Sequence, residues 1–295
     1  MRIPRRALLL LLAAAAPAPR HEEWHDTARG RTLPVLIRLP AGPGPHPLLL
    51  ISHGLGGSRD GLAYLGEAAA AAGFIALHLQ HPGSDEAVWQ GAARPLDAMR
   101  AAARQPEHGI ARLLDARFAI DQAMARLPVD AARIAAAGHS YGAWSVQHWL
   151  GERMGRDAVA MPEPRIRAGI AISPVPPRGI APAAAMAGLR TPLLHITGSR
   201  DTSPLDGTTP EDRLLPWQHT APDIPAGLLW LDGADHMGFS GLPRYGETQH
   251  AKVAEVAIRF LRAMLLGDAR ARAWLLAGGP GTVQPPDRLT MRALG

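Results

Sequence analysis

The stretch "IAAAGHSYGAW", Ile134 to Trp144, runs four apolar residues into Gly138, places His139 and Ser140 next, and turns again at Gly142. An unbroken apolar run of this kind reads as a strand buried on both faces of a parallel sheet. The residues from Tyr141 to Leu150 read as a helix, so Ser140 falls at the corner between the two. Gly138-His139-Ser140-Tyr141-Gly142 fits G-x-S-x-G, in which the serine sits on a sharp strand-to-helix turn. Side chains two residues before or after it would collide there, which is why both positions are glycine. Such a corner puts one hydroxyl in the open.

Working outward, the same alternation of buried strand and amphipathic helix recurs. "RTLPVLIRLP" (Arg31–Pro40) alternates as a strand and is followed by the turn cluster "AGPGPHP". "LLLISHG" (Leu48–Gly54) and "FIALHLQHPG" are further strands, separated by the helix "LAYLGEAAAAAG", which stops at Gly73. "IARLLDARFAIDQAMARLP" has helical spacing and ends at Pro128. "RAGIAISP", "TPLLHITG" and "GLLWLDG" are later strands, a small-residue helix covers Ala181–Leu189, and "AKVAEVAIRFLRAMLLG" is a closing helix. This order predicts an α/β fold: a mostly parallel central sheet with helices on both faces. The expected layout is a leader over 1–20, one domain over 21–277 with a cap inserted at 83–108, and a poorly ordered Gly/Pro-rich tail over 278–295.

A serine hydroxyl needs a base to take its proton, and the base needs an acid to hold its tautomer. On this architecture the partners follow in the order Ser, acid, His, on loops after later strands. "HITGSRDTSP" offers Asp201 at a strand end, and "LWLDGADHMGFSG" offers His236 at the next. Asp206, five residues on, is the competing acid. Asp232 and Asp235 share the loop of His236 and are expected to shape its turn. His195 lies inside an apolar strand as a core histidine, His219 is the other candidate base, and His139 supports the corner. His78 and His81, three apart on a strand, face opposite ways and are not expected to share a metal.

Acyl transfer puts negative charge on the carbonyl oxygen, so donors must be waiting for it. "SHGLGGSRD" (Ser52–Asp60) follows the early strand with a flexible turn, and the backbone N–H groups of Leu55 and Tyr141 are the candidate oxyanion donors. Trp89, Trp144, Trp217, Met237 and Phe239 lie near the elements that would frame a substrate pocket, although each also suits plain packing.

The chain has 295 residues, is 47% apolar and contains no cysteine. It can bury one large core, and thiolate nucleophiles, disulfides and Cys-ligated metals are excluded. Lys252 is the only lysine, and the arginines are scattered without a basic run, which argues against a nucleic-acid partner. "MRIPRRALLLLLAAAAPAPR" has a positive start, an apolar stretch from Ala7 to Ala16 and then small residues, the layout of a secretory signal. The apolar stretch is far short of the ~20 residues that span a bilayer. Cleavage after Ala16 or after Ala18 both fit an A-x-A pattern. Loss of Arg2, Arg5 and Arg6 takes the formal charge from +5 to +2. The expectation is an exported, periplasmic or secreted protein with no stable membrane span after processing.

The "SHGLGGS" turn, "HPGSD" and "GHSYG" together resemble the α/β-hydrolase superfamily. Within it, residues 25–275 are similar to the dienelactone-hydrolase-like serine hydrolases related to platelet-activating-factor acetylhydrolase. The resemblance implies the α/β-hydrolase fold, the triad Ser140–Asp201–His236 and the oxyanion donors Leu55 and Tyr141. One departure is plain: true dienelactone hydrolases use a cysteine nucleophile, and none exists here. The expected activity is hydrolysis of a small-molecule or lipid-like carboxylic ester through an acyl-enzyme, without metal or organic cofactor. A phospholipase-like acetylhydrolase, a polyester hydrolase, a peptidase and a non-catalytic binding protein on the same fold are the alternatives. Oligomeric state is not legible.

Overall fold

A computed structural model describes residues 16–242 and 247–294. The strands are β1 (Arg20–Asp26), β2 (Arg31–Arg38), β3 (His46–Ser52), β4 (Ile75–Leu79), β5 (Val129–His139), β6 (Arg153–Met154), β7 (Val159–Ala160), β8 (Ile166–Ile172), β9 (Leu193–Arg200), β10 (Ala226–Asp235) and β11 (Arg288–Arg292). The helices are α1 (Ala63–Ala71), α2 (Pro95–Ala103), α3 (Pro106–Arg126), α4 (Tyr141–Trp149), α5 (Pro182–Met186), α6 (Leu215–His219), α7 (Glu247–Leu266) and α8 (Ala269–Leu276).

Among the described residues, nine strands form one sheet in the order β1-β2-β4-β3-β5-β8-β9-β10-β11. The run from β4 to β10 is parallel, and antiparallel strands close both edges. Side chains alternate across the sheet, so each central strand feeds two cores. Leu48, Leu50, Ile134 and Ala136 pack under α3 and α4, against Leu113, Ile120, Val146 and Trp149. Leu49, Ile51, Ala135 and Ala137 pack on the other face, against Leu65 of α1 and Val253 and Phe260 of α7.

The chain leaves β3 to form β4 on one side and returns to form β5 on the other. In an open α/β sheet the crevice beyond the strand ends at such a reversal is where ligands bind. Ser52 at the end of β3 lies in register with Gly138 on β5, which brings the "SHGLGGS" turn beside the Ser140 corner.

The described elements differ from the expected set at both ends of the chain. The tail is not unstructured: Arg288–Arg292 pairs with Ala226–Trp230 as an edge strand, and Leu289 and Met291 pack on the core. The Gly/Pro segment before it is a turn, tied down by the ion pair of Lys252 with Asp287 at 2.5 Å. At the other end, residues from Arg20 onward already form β1, a polar edge strand in which Trp24 alone is fully buried. Both expected cleavage points precede this strand. Residues 1–15, which carry most of the expected export segment, lie outside the described residues.

Candidate active site

Ser140 connects β5 to α4 with φ 55° and ψ −115°, a conformation rarely adopted by a residue with a side chain. Its N–H donates to Ile172 O at 2.9 Å, anchoring the corner to β8. The flanking glycines are sterically required. A Cβ on Gly138 would stand 2.3 Å from the Gly142 backbone, and one on Gly142 would stand 2.0 Å from the Ser52 carbonyl oxygen.

The three candidate residues of the triad meet at this corner. Nε2 of His236 lies 3.1 Å from Ser140 Oγ. Its Nδ1 lies 2.8 Å from Asp201 Oδ1. Asp201 is fully buried, and its Oδ2 accepts from Thr197 Oγ1 at 2.8 Å. An Nδ1–H held by the carboxylate leaves Nε2 free to face the hydroxyl, so the arrangement can withdraw a proton from Ser140. Asp206 is turned elsewhere: it pairs with Arg178 at 2.6 Å and accepts from Thr208 Oγ1 at 2.8 Å.

The remaining polar residues of these loops serve the frame. Asp235 accepts the Gly238 N–H at 2.7 Å and Asp232 accepts from Ser199 Oγ at 2.9 Å, both shaping turns. His139 has Nε2 3.0 Å from His236 O, and burial holds its imidazole well below the ordinary value, so it is neutral. His195 is a core residue 3.2 Å from Gly227 O, pulled down to about 3 by burial. His219 ends α6. His78 and His81 diverge, the first toward Gly61 O and the second toward Ser52 and Asp115.

Arg213 is a neighbour that the sequence patterns did not single out. It is 2% exposed. Nε donates to Asp201 O at 2.7 Å and stands 2.9 Å from Asp201 Oδ1. Nη1 donates to Ser173 O and Pro174 O at 3.0 and 3.1 Å. Burial lowers its pKa, and the Asp201 carboxylate works in the other direction. Arg213 thus ties the acid to the loop after β8, through contacts that no spacing in the chain announces.

The turn after β3 completes the constellation. Gly56 N–H donates to Ser84 O at 2.9 Å and Gly57 N–H to Gly54 O at 3.1 Å. The Leu55 N–H just before them has no hydrogen-bond partner among the described residues. His53 accepts the His81 N–H on Nε2 at 3.0 Å, which leaves Nδ1–H to donate to Gly54 O at 2.6 Å. Burial, with Arg112 nearby, keeps this imidazole neutral.

A cavity of about 440 Å³ opens over Ser140. Leu55, Tyr141 and Trp144 form its floor, while Arg100, Ala103 and Arg104 from α2 and the turn after it face Ser203 and Leu205 from the loop after Asp201. Of the five expected pocket residues, Trp144 lines it. Trp89 lies beside it, donating from Nε1 to Gly56 O at 2.7 Å. Phe239 is fully buried in the core. Trp217 is stacked under Arg292 at 4.0 Å, and Met237 belongs to the short 3-10 turn after His236. Phe239 and Trp217 are thus packing residues, held in the core and against Arg292. Among the described residues no helix is long and apolar enough to cross a membrane.

No protein-family model matches the chain. No curated protein matches it either. Solved structures do. A ferulic acid esterase from Streptomyces cinnamoneus superposes with a TM-score of 0.61 at 21% identity, over 84% of this chain and 89% of that one. Porphyromonas gingivalis dipeptidyl peptidase 4 gives 0.60 at 18% identity, over 85% of this chain and 36% of that one. A puromycin-hydrolyzing peptidase from Mycobacterium tuberculosis gives 0.58 at 16% identity, over 84% and 39%. The chain therefore spans little more than a third of either peptidase. The fold is the α/β-hydrolase fold.

Proposed function

We propose that this chain is a serine hydrolase acting on carboxylic esters. The observation that carries the reading is the line from Ser140 Oγ through His236 to buried Asp201, at 3.1 and 2.8 Å, open to a cavity at the strand ends. His236 Nε2 takes the Ser140 proton as Oγ attacks the ester carbonyl. Asp201 holds the imidazole and stabilises its charged form. The N–H groups of Leu55 and Tyr141 receive the oxyanion, and the tetrahedral intermediate collapses as His236 protonates the departing alkoxide. Water, deprotonated by His236, then attacks the acyl carbonyl, and His236 returns that proton to Ser140 Oγ as the carboxylic acid leaves.

An ester is favoured over a peptide because the esterase is matched over most of its length and the peptidases over little more than a third of theirs. Trp144 offers an apolar wall to the substrate. The kinship with dienelactone-hydrolase-like enzymes and export by residues 1–20 belong to the same reading. The test is fluorophosphonate labelling with peptide mapping, beside Ser140→Ala. One adduct on Ser140, lost in the variant and slowed by His236→Ala, is expected, with turnover of p-nitrophenyl esters. A folded protein that takes no adduct would overturn the reading.

A further inference from the structure

We propose that Arg112 is a positioning residue of the oxyanion hole, tying the loop that carries Leu55 to Tyr141 on the neighbouring helix. The inference rests on the ester-hydrolase reading and names a residue outside the triad on which its rate depends.

Arg112 projects from α3 and is fully buried. Its guanidinium spends its donors on the turn after β3. Nη1 donates to His53 O at 2.9 Å and Nη2 to Gly54 O at 3.4 Å. Nε donates to Ser84 Oγ at 2.8 Å, and the carbonyl of the same Ser84 receives the Gly56 N–H. The loop is thereby gripped on both sides of Leu55. The other partner of the guanidinium is the Tyr141 ring, whose centroid lies 4.4 Å away. One side chain thus touches the two segments that supply the two candidate donors.

Peptide geometry gives the grip its direction. In a trans peptide the C=O and N–H point opposite ways, and Gly54 C=O shares its peptide plane with Leu55 N–H. Arg112, His53 Nδ1 and Gly57 N–H all hold the Gly54 oxygen. Drawing that oxygen inward aims the Leu55 N–H outward, on the side where Leu55 lines the cavity with Ser140 and Tyr141. A fixed cation behind the donors also favours the negative charge that develops in front of them. Asp115 and Asp85 offset the charge of the buried guanidinium from nearby, but among the described residues its hydrogen bonds go only to carbonyls and two serine hydroxyls.

The experiment compares wild type with Arg112→Lys and Arg112→Met. The kcat for a p-nitrophenyl ester is expressed per Ser140 labelled to completion by fluorophosphonate, so a misfolded fraction drops out. Arg112→Met is expected to lose roughly 10²-fold in kcat, the scale of one misplaced oxyanion donor. KM stays within about twofold, because the ground-state carbonyl leans on these donors less than the oxyanion does. Affinity for a trifluoromethyl ketone, which forms an oxyanion on Ser140, falls in parallel, while that for an unreactive ether analogue of the ester does not. Arg112→Lys, which restores one donor and the charge, recovers part of the loss and decides the matter if Arg112→Met does not fold. Unchanged kcat per labelled site, or a loss carried by KM with ketone affinity intact, overturns the role of Arg112 and leaves the hydrolase reading standing. A wild-type protein that takes no adduct at Ser140 overturns the hydrolase reading and this inference with it.

Discussion

Two serine–histidine–aspartate chains lie within this molecule, and they share almost the same hydrogen-bond lengths. In one, Ser140, His236 and Asp201 are linked at 3.1 and 2.8 Å. In the other, Ser52 Oγ lies 3.0 Å from His81 Nε2, and His81 Nδ1 lies 2.9 Å from Asp115 Oδ2. The second set cannot do the chemistry proposed for the first. Ser52, His81 and Asp115 have no exposed surface to speak of, so no ester carbonyl reaches the hydroxyl. Ser52 is the last residue of a regular strand, whereas Ser140 sits on a corner with positive φ. Asp115 is also engaged by Arg31 at 2.8 Å and Arg29 at 2.9 Å, so its charge is spent on holding β1 and β2 to α3. Burial is the main cause that keeps His81 neutral, with its pKa down at about 4. The lesson is that three residues in line do not define a nucleophile. Access and a strained corner separate the two, since both acids are also held by arginine.

Substitution at the two acids is the sharpest way to break this comparison. Asp201→Asn is expected to lower kcat per folded molecule by about 10⁴-fold by fixing the wrong tautomer of His236, and to lower the melting temperature as well because it strands buried Arg213. Asp115→Asn is expected to act on stability, costing about 3–5 kcal/mol in urea unfolding, because it strands two partly buried arginines. If Asp115→Asn abolished phosphonate labelling in protein that melts normally, the division of labour drawn above would be wrong.

Gly142 joins the two sets physically, since a Cβ there would meet the Ser52 carbonyl oxygen at 2.0 Å. Gly142→Ala must push the corner off β3. A destabilisation of about 3 kcal/mol is expected, together with slower labelling of Ser140 in the fraction that folds. Unaltered labelling would mean that the corner tolerates displacement.

The smallest effect is a pH dependence. Burial works against the Asp115 carboxylate, but His81 and Arg31 outweigh it and bring its pKa from 3.8 to about 2. A carboxylate depressed on folding adds stability above its unfolded pKa and loses it as pH falls toward the folded one. The window is therefore about pH 4 to pH 2, and the loss is about 2 kcal/mol. The gap in urea stability between wild type and Asp115→Asn should narrow by that amount over this window. A constant gap would show that Asp115 is not depressed.

The parts of the site that sit at strand ends were legible in the chain. Gly138, Ser140 and Gly142 announce the corner, and the order Ser140, Asp201, His236 follows strands whose apolar runs are unmistakable. The polar edge strand β1 and the tail strand β11 were not: β1 fully buries Trp24 alone and so carries no apolar pattern, and β11 satisfies its pattern only by leaning on β10, far away in sequence. Arg112 and Arg213 were invisible for a related reason. An arginine on an amphipathic helix, like Arg112, or in a short 3-10 turn, like Arg213, reads as surface, and only the assembled fold shows that these two are aimed inward at carbonyl groups. Two of the pocket aromatics, Trp217 and Phe239, failed similarly, since nearness in sequence to a functional loop does not set the direction of a ring.

The ion pair of Lys252 with Asp287 carries a practical consequence for anyone coupling the protein to a surface or a dye. Lys252 is the only lysine in 295 residues, while the cations around the cavity are arginines. Succinimidyl reagents therefore find one side-chain amine, and acylating it neutralises the ammonium that holds the turn before β11. Amine conjugation would cut this fastening of the C-terminal strand and leave the guanidinium groups over Ser140 intact, so carboxyl-directed or affinity immobilisation suits this scaffold better.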